Sequence, residues 1–215
     1  MNILMLTLGP LATNCYLVWQ DGRTDAVIVD PAANSRKITA ALQEHGLTPV
    51  CFLLTHAHFD HIGALKPLLA AAPDARVYVG DQDKDDPCDM AYDLLTYTDT
   101  YQDGDSVEAA GLSFRVLGTP GHTPGSVCLL CGEALFSGDT LFAGSYGRTD
   151  FKGGSMQDMY ASLRKLAALP PQTRVLPGHG PESTIEDELR TNPYLREARG
   201  TRSEEHTSEL QSLFA

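Results

Sequence analysis

Positive charge is scarce in this chain: 16 lysines and arginines face 28 aspartates and glutamates, for a net charge of −12 over 215 residues. The acids are scattered and no segment carries a basic stripe, so electrostatics disfavour nucleic acid and anionic membrane surfaces as partners. No stretch reaches the roughly 18–20 consecutive apolar residues of a membrane-spanning helix. Arg23 is the first basic residue. Without a basic leader, and with Gly9-Pro10 breaking the apolar run, the amino-terminal segment reads as a β-strand rather than a secretory signal, and the expected location is the cytoplasm. Five cysteines, an odd number without regular spacing, make no disulfide framework. Cys128 and Cys131 form a CxxC within SVCLLCGEA, but positions three apart in a strand face opposite ways, so both read as buried thiols and Cys88 as a loop thiol.

What is present is enough for a sizeable core, since 42% of the residues are hydrophobic. Alternation and turn signals predict strands at 3–8, 15–19 and 26–29, with a turn at Asp21-Gly22, then a helix over 35–45 and a buried strand over 49–55. A helix over 62–72, a strand over 76–79 and a helix over 90–97 in an acidic irregular segment follow. Strands at 113–117, 126–131 and 134–137, a helix over 155–166 and a strand over 174–176 complete the prediction. The order strands, helices, strands, helices implies two similar halves with sheets packed inside and helices outside. Residues 1–200 are expected to form one domain. Residues 201–215 read as a disordered tail, because RSEEHTSELQS resembles the conceptual translation of a sequencing adapter.

The densest chemistry lies in THAHFDHIG, where His56, His58, Asp60 and His61 fall within six consecutive positions directly after a buried strand. Residues two apart in an extended segment point the same way, so His56 and His58 can close on one cation while Asp60 and His61 turn toward a second nearby. Imidazole and carboxylate donors without thiolate suit zinc, iron or manganese. Three further strand ends each present one donor in a glycine-rich turn: His122 in GTPGHTPGS, Asp139 in LFSGDTLF and His179 in VLPGHGP. Their shared placement marks them as additional ligands.

With these motifs in hand, the chain is similar to the metallo-β-lactamase superfamily, whose HxHxDH signature stands here as His56, His58, Asp60 and His61. THAHFDHIG, TPGHTPGS, FSGDTLF, GRTD and PGHGP more narrowly resemble the glyoxalase II group, the hydroxyacylglutathione hydrolases, in their short bacterial form. The resemblance implies an α+β fold, a four-layer αβ/βα sandwich with two divalent metal ions at one edge, zinc foremost, with iron or manganese compatible. It implies His56, His58 and His122 on the first ion, Asp60, His61 and His179 on the second, and Asp139 as a bridge. It further implies substrate contacts from Arg148, in GSYGRTD, and from Tyr146. An aspartate at 139, where the β-lactamases proper carry cysteine or serine, argues against antibiotic hydrolysis.

The expected function is hydrolysis of a small-molecule thioester, S-D-lactoylglutathione or a related acyl-thiol, by a hydroxide bridging the two ions, with Asp60 orienting it. Two ions about 3.5–4 Å apart lower the pKa of a shared water toward about 7 and polarise the carbonyl. The alternative within the same family is a persulfide dioxygenase using one iron held by His56, His122 and Asp139, or a hydrolase of another ester or lactone.

Overall fold

The computed structural model describes residues 1–85 and 93–200. The first half builds β1 (Asn2–Leu8), β2 (Thr13–Trp19), β3 (Asp25–Val29), α1 (Ser35–Glu44), β4 (Thr48–Leu53), α2 (Phe59–Ile62), α3 (Leu65–Ala71), β5 (Arg76–Gly80) and β6 (Asp99–Tyr101). Its six strands form one sheet in chain order, antiparallel from β1 to β3 and parallel from β3 to β6. The second half builds β7 (Ser106–Ala109), β8 (Leu112–Gly118), β9 (Val127–Cys131), β10 (Ala134–Gly138), the hairpin β11 (Leu141–Phe142) and β12 (Ser145–Tyr146), α4 (Met156–Leu166), β13 (Arg174–Pro177), β14 (Ser183–Thr184), α5 (Ile185–Thr191) and α6 (Pro193–Gly200). Its large sheet runs β14-β13-β10-β9-β8-β7, with β10 parallel to β13.

Strand alternation sorts the apolar residues into three cores, and this makes the four layers. Tyr16, Val18, Val27, Val29, Cys51 and Leu53 from the first sheet meet Phe114, Val116, Leu129 and Phe136 from the second, filling the space between the sheets. The intervening residues, Cys15, Leu17, Ala26, Ile28 and Phe52, turn outward onto Ile38 and Leu42 of α1 and Leu65 and Leu68 of α3. On the far side Cys128, Leu135 and Val175 pack under Met159 and Leu163 of α4, Ile185 of α5 and Leu195 of α6. The observed architecture is the expected four-layer αβ/βα sandwich. Cys128 and Cys131 do face opposite cores, as a strand requires.

The helix predicted over 62–72 is instead two short helices broken at Gly63-Ala64. A Cβ at Gly63 would lie 2.6 Å from the Ala32 carbonyl, and Ala64 N–H donates to Pro31 at 2.9 Å, so the loop after β3 docks where a continuous helix would pass. Of the helix predicted over 90–97, residues 93–97 form a turn and coil that feed β6. Thr98 explains the extended ending: it bonds the backbone of Val77 on the edge of β5. The remainder of that helix, Cys88 and the tail 201–215 lie outside the described residues. Among the described residues no helix is long and apolar enough to cross a membrane.

Topology brings one end of the sandwich to chemical use. The carboxyl ends of β3, β4, β8, β10 and β13 and the start of β2 all reach the same edge, where the sheets are stitched together. There Asn14 N–H donates to Gly178 at 2.7 Å and Val127 N–H to Thr55 at 2.9 Å. Buried Tyr16 donates its hydroxyl to the Pro177 carbonyl at 2.7 Å, an oxygen that Asn14 also supplies with a donor. Because that carbonyl keeps a partner, Tyr16→Phe should lower stability by only about 1 kcal/mol, measured by urea unfolding; a loss of several kcal/mol would show the stitch is not shared.

Candidate metal centre

Four loops leaving four strands carry the predicted donors, and the structure brings all seven together. The group His56, His58 and His122, the group His56, His61 and Asp139, and the group Asp60, His61 and His179 each place one ligand atom per residue within 4.8 Å of the others. His56 and His61 are buried beneath a cleft that His58, Asp60, His122, Asp139 and His179 line.

Four of the five rings are held by one nitrogen so that the other points inward, while His58 Nδ1 meets His122 Nε2 at 2.8 Å. His61 Nδ1 bonds Asp30 at 2.9 Å, His122 Nδ1 bonds the Arg148 carbonyl at 2.7 Å, and His179 Nδ1 bonds the Leu11 carbonyl at 3.1 Å. His56 Nδ1 lies 3.1 Å from the Thr55 hydroxyl. Such outer partners set tautomer and aim, as metal-ligating histidines require. Inward, His61 Nε2 approaches Asp139 Oδ1 at 3.3 Å, yet neither atom makes a hydrogen bond, and His56 Nε2 has no partner either. Leaving three buried polar atoms unpaired costs about 1–3 kcal/mol each. A cation between them satisfies all three, so the residues fit a metal.

Electrostatics divide the donors into two sets. Burial, reinforced by the neighbouring rings, drives the His56 pKa well below its ordinary value and that of His58 down to about 4. Burial also lowers His122, so these three imidazoles are neutral at neutral pH, the form that binds metal. In the other set burial opposes protonation of His61, but Asp139 and Asp30 overcome it and raise its pKa well above the ordinary value. Burial likewise opposes protonation of His179, which Asp60 and Asp139 nevertheless raise. Burial opposes ionisation of Asp60, yet His179, His61 and the Thr13 hydroxyl, donating at 2.8 Å, hold it below the usual carboxylate range.

The cleft above the donors has a volume of about 620 Å³, with Leu11, Phe59, Phe142 and Phe151 as apolar walls. Phe151 stands edge-on to the rings of His58 and His122 at 5.2 and 5.6 Å. Arg148 lines the same cleft, its guanidinium 4.4 Å above Phe151 and paired with Asp150. Tyr146, the other predicted substrate contact, is elsewhere: the β11–β12 hairpin turns its ring against Tyr194 and Tyr160 in the outer helical layer, and it does not line the cleft.

Sequence reasoning missed Thr13, Asp30 and Asp83. Asp30 is 2% exposed and accepts from the Thr55 N–H and hydroxyl, both at 2.7 Å, besides His61. The signal was available: Asp30 closes the apolar run AVIV before a proline, the same strand-end placement that marks Asp139.

Comparison with known proteins follows the same lines. The chain is 37% identical to the "Probable metallo-hydrolase YqgX" of Bacillus subtilis, over 88% of this chain and 95% of that one. It is 33% identical to the "Hydroxyacylglutathione hydrolase GloC" of Haemophilus influenzae, over 91% and 98%. Among solved structures it is similar to the BLEG-1 B3 metallo-beta-lactamase, with 36% identity, TM-score 0.83 and coverage of 90% and 99%. It is also similar to TTHA1623 in a di-iron-bound form, with 42% identity, TM-score 0.78 and coverage of 89% and 99%. ETHE1 from Myxococcus xanthus follows with 32% identity, TM-score 0.81 and coverage of 93% and 88%. The family model of the metallo-beta-lactamase superfamily matches residues 8–179, a span that holds all seven donors, and the chain belongs to that superfamily.

Proposed function

We propose that this chain is a metal-dependent hydrolase of thioesters, S-D-lactoylglutathione or a related acyl-thiol, acting through two cations on a single domain of residues 1–200. The observation that carries it is the pair of donor triads on either side of Asp139, His56/His58/His122 and Asp60/His61/His179, each drawn tight enough for its own ion. Divalent ions bound there supply Lewis acidity, polarising a carbonyl and lowering the pKa of water. Nitrogen and oxygen donors without thiolate accept zinc, iron or manganese.

The rest of the chemistry falls to the chain. Asp60, kept ionised and oriented by Thr13 and His179, is suited to accepting a hydrogen bond from the attacking water and so aligning it. Phe142 and Phe151 exclude bulk water from the donors. Arg148, at the cleft wall, is suited to an anionic end of the substrate. Its guanidinium is largely exposed, so Arg148→Ala should raise KM by roughly 3- to 10-fold, about 1 kcal/mol, and change kcat less. Unchanged steady-state kinetics would remove it from the site.

A second reading, a persulfide dioxygenase with one iron on His56, His122 and Asp139, has the better backing among solved relatives, since TTHA1623 binds iron, there as a pair of ions, and the ETHE1 structure is as similar as GloC. The donor atoms gather as three overlapping groups, His56/His58/His122, His56/His61/Asp139 and Asp60/His61/His179, an arrangement open to one ion or to two. Metal analysis of the purified full chain, alongside thioester absorbance on S-D-lactoylglutathione and oxygen uptake on glutathione persulfide, separates the two. About two ions per chain with thioester turnover supports the first reading. One iron with oxygen consumption replaces it by the second. Turnover of a β-lactam in the same panel, with neither of those, would overturn both.

A further inference from the structure

One buried acid at the cleft has no part in the reaction outlined above. Asp83 sits in the turn after β5, 3% exposed, and lines the cleft beside His58 and His122. Its Oδ1 accepts the N–H of Gly125 at 2.7 Å, and its Oδ2 accepts the N–H of Ala57 at 3.2 Å and the Thr123 hydroxyl at 2.8 Å. Ala57 lies between His56 and His58, and Thr123 follows His122. A carboxylate from a third loop, carrying no donor itself, therefore ties together the two loops that supply the first triad. The approach is close: a Cβ at Gly125 would stand 2.6 Å from the Asp83 carboxyl, so the loop reaches it only as glycine. The Thr123 hydroxyl also meets Ser126 Oγ at 2.6 Å, which fixes the turn that presents His122. The second triad is braced by other groups, namely Thr13, Asp30 and the Leu11 carbonyl.

We propose that Asp83 is a positioning residue for His56, His58 and His122, setting the spacing of that triad and hence its hold on a divalent cation without touching the cation. The proposal rests on the metal-dependent reading of the site. Removing the carboxylate leaves the Gly125 and Ala57 N–H groups desolvated and unpaired, and the two loops separate to recover partners. Imidazole donors then miss a common point by fractions of an ångström, which metal coordination does not tolerate.

The test is a stepwise titration of the metal-stripped full chain with Co²⁺, read by visible absorbance and metal analysis. Asp83→Ala should weaken one of the two steps by about 10- to 100-fold and leave the other unchanged. In a His179→Ala background, where the first triad carries the remaining step, the same weakening should reappear. In a His58→Ala background, Asp83→Ala should add nothing. Asp83→Asn, which keeps one acceptor oxygen, and Thr123→Val, which removes one donor, should give smaller losses on the same step; they carry the test if Asp83→Ala does not fold. Equal weakening of both steps, persistence of the loss in the His58→Ala background, or unchanged affinity overturns the proposal. A native chain that takes up no Co²⁺ overturns the metal reading itself, and the proposal with it.

Discussion

Asp139→Ala should reduce turnover by about 1,000-fold or more. The carboxylate stands between the triads, Oδ1 at 3.3 Å from His61 Nε2 and Oδ2 at 3.4 Å from His122 Nε2 and 3.7 Å from His179 Nε2. Burial opposes its ionisation, but the charge of His61 beside it, with His122 and His179, holds its pKa below the ordinary value. It is thus an anion aimed at the place where both cations are expected. Truncation removes that charge and the oxygens that would hold the ions together. Metal centres supply several kcal/mol of transition-state stabilisation, and a loss of about 4 kcal/mol corresponds to about 10³-fold in rate. Asp139→Asn separates charge from shape, because the amide keeps the volume. Measuring kcat together with metal content decides the matter: normal turnover in Asp139→Ala at full metal loading would refute a bridging role.

Asp30→Ala should cost stability as well as metal affinity. This buried carboxylate answers three donors, the Thr55 N–H, the Thr55 hydroxyl and His61 Nδ1, and none of them can reach bulk water when it is removed. Breaking one side of a buried ion pair costs about 3–5 kcal/mol. His61 also loses the partner that fixes its tautomer, so the cation affinity of the Asp60, His61 and His179 set should fall by about 10- to 100-fold. Asp30→Asn keeps one acceptor and should fall between the two. Urea unfolding and Co²⁺ titration on the same samples read both effects; a variant unfolding like the native chain would show that Thr55 and His61 find other partners.

Much of the fold was legible in local pattern. Ile38, Ala41 and Leu42 repeat at helical spacing behind the cap Asn34, and Met159, Leu163 and Leu166 do so behind Ser155. Other elements were hidden for identifiable reasons. The β7–β8 hairpin turns at Ala110 with a φ of 51°, a left-handed position where the turn signal expects asparagine, aspartate or glycine. The strands β11, β12 and β14 are two residues each, too short for alternation to register. The helices α5 and α6 did carry signals, Thr184 capping the Asp187 N–H and Asn192-Pro193 marking the break between them, although the predicted elements omit both.

The seven candidate donors could be named from the chain because ligand chemistry resides in the side chain, and because an apolar run that ends abruptly announces where a strand delivers its next residues. Which donors stand together is another kind of fact. His58 and His122 meet at 2.8 Å across 64 positions of sequence, a distance fixed by strand order and by two sheets closing on a shared core. The same closure buried Asp30 and Asp83 beside loops remote from them in sequence, and it turned Tyr146 into the helical layer while Arg148 stayed at the cleft. No local periodicity encodes such separations, since they arise only when the packing of distant strands sets where each loop begins.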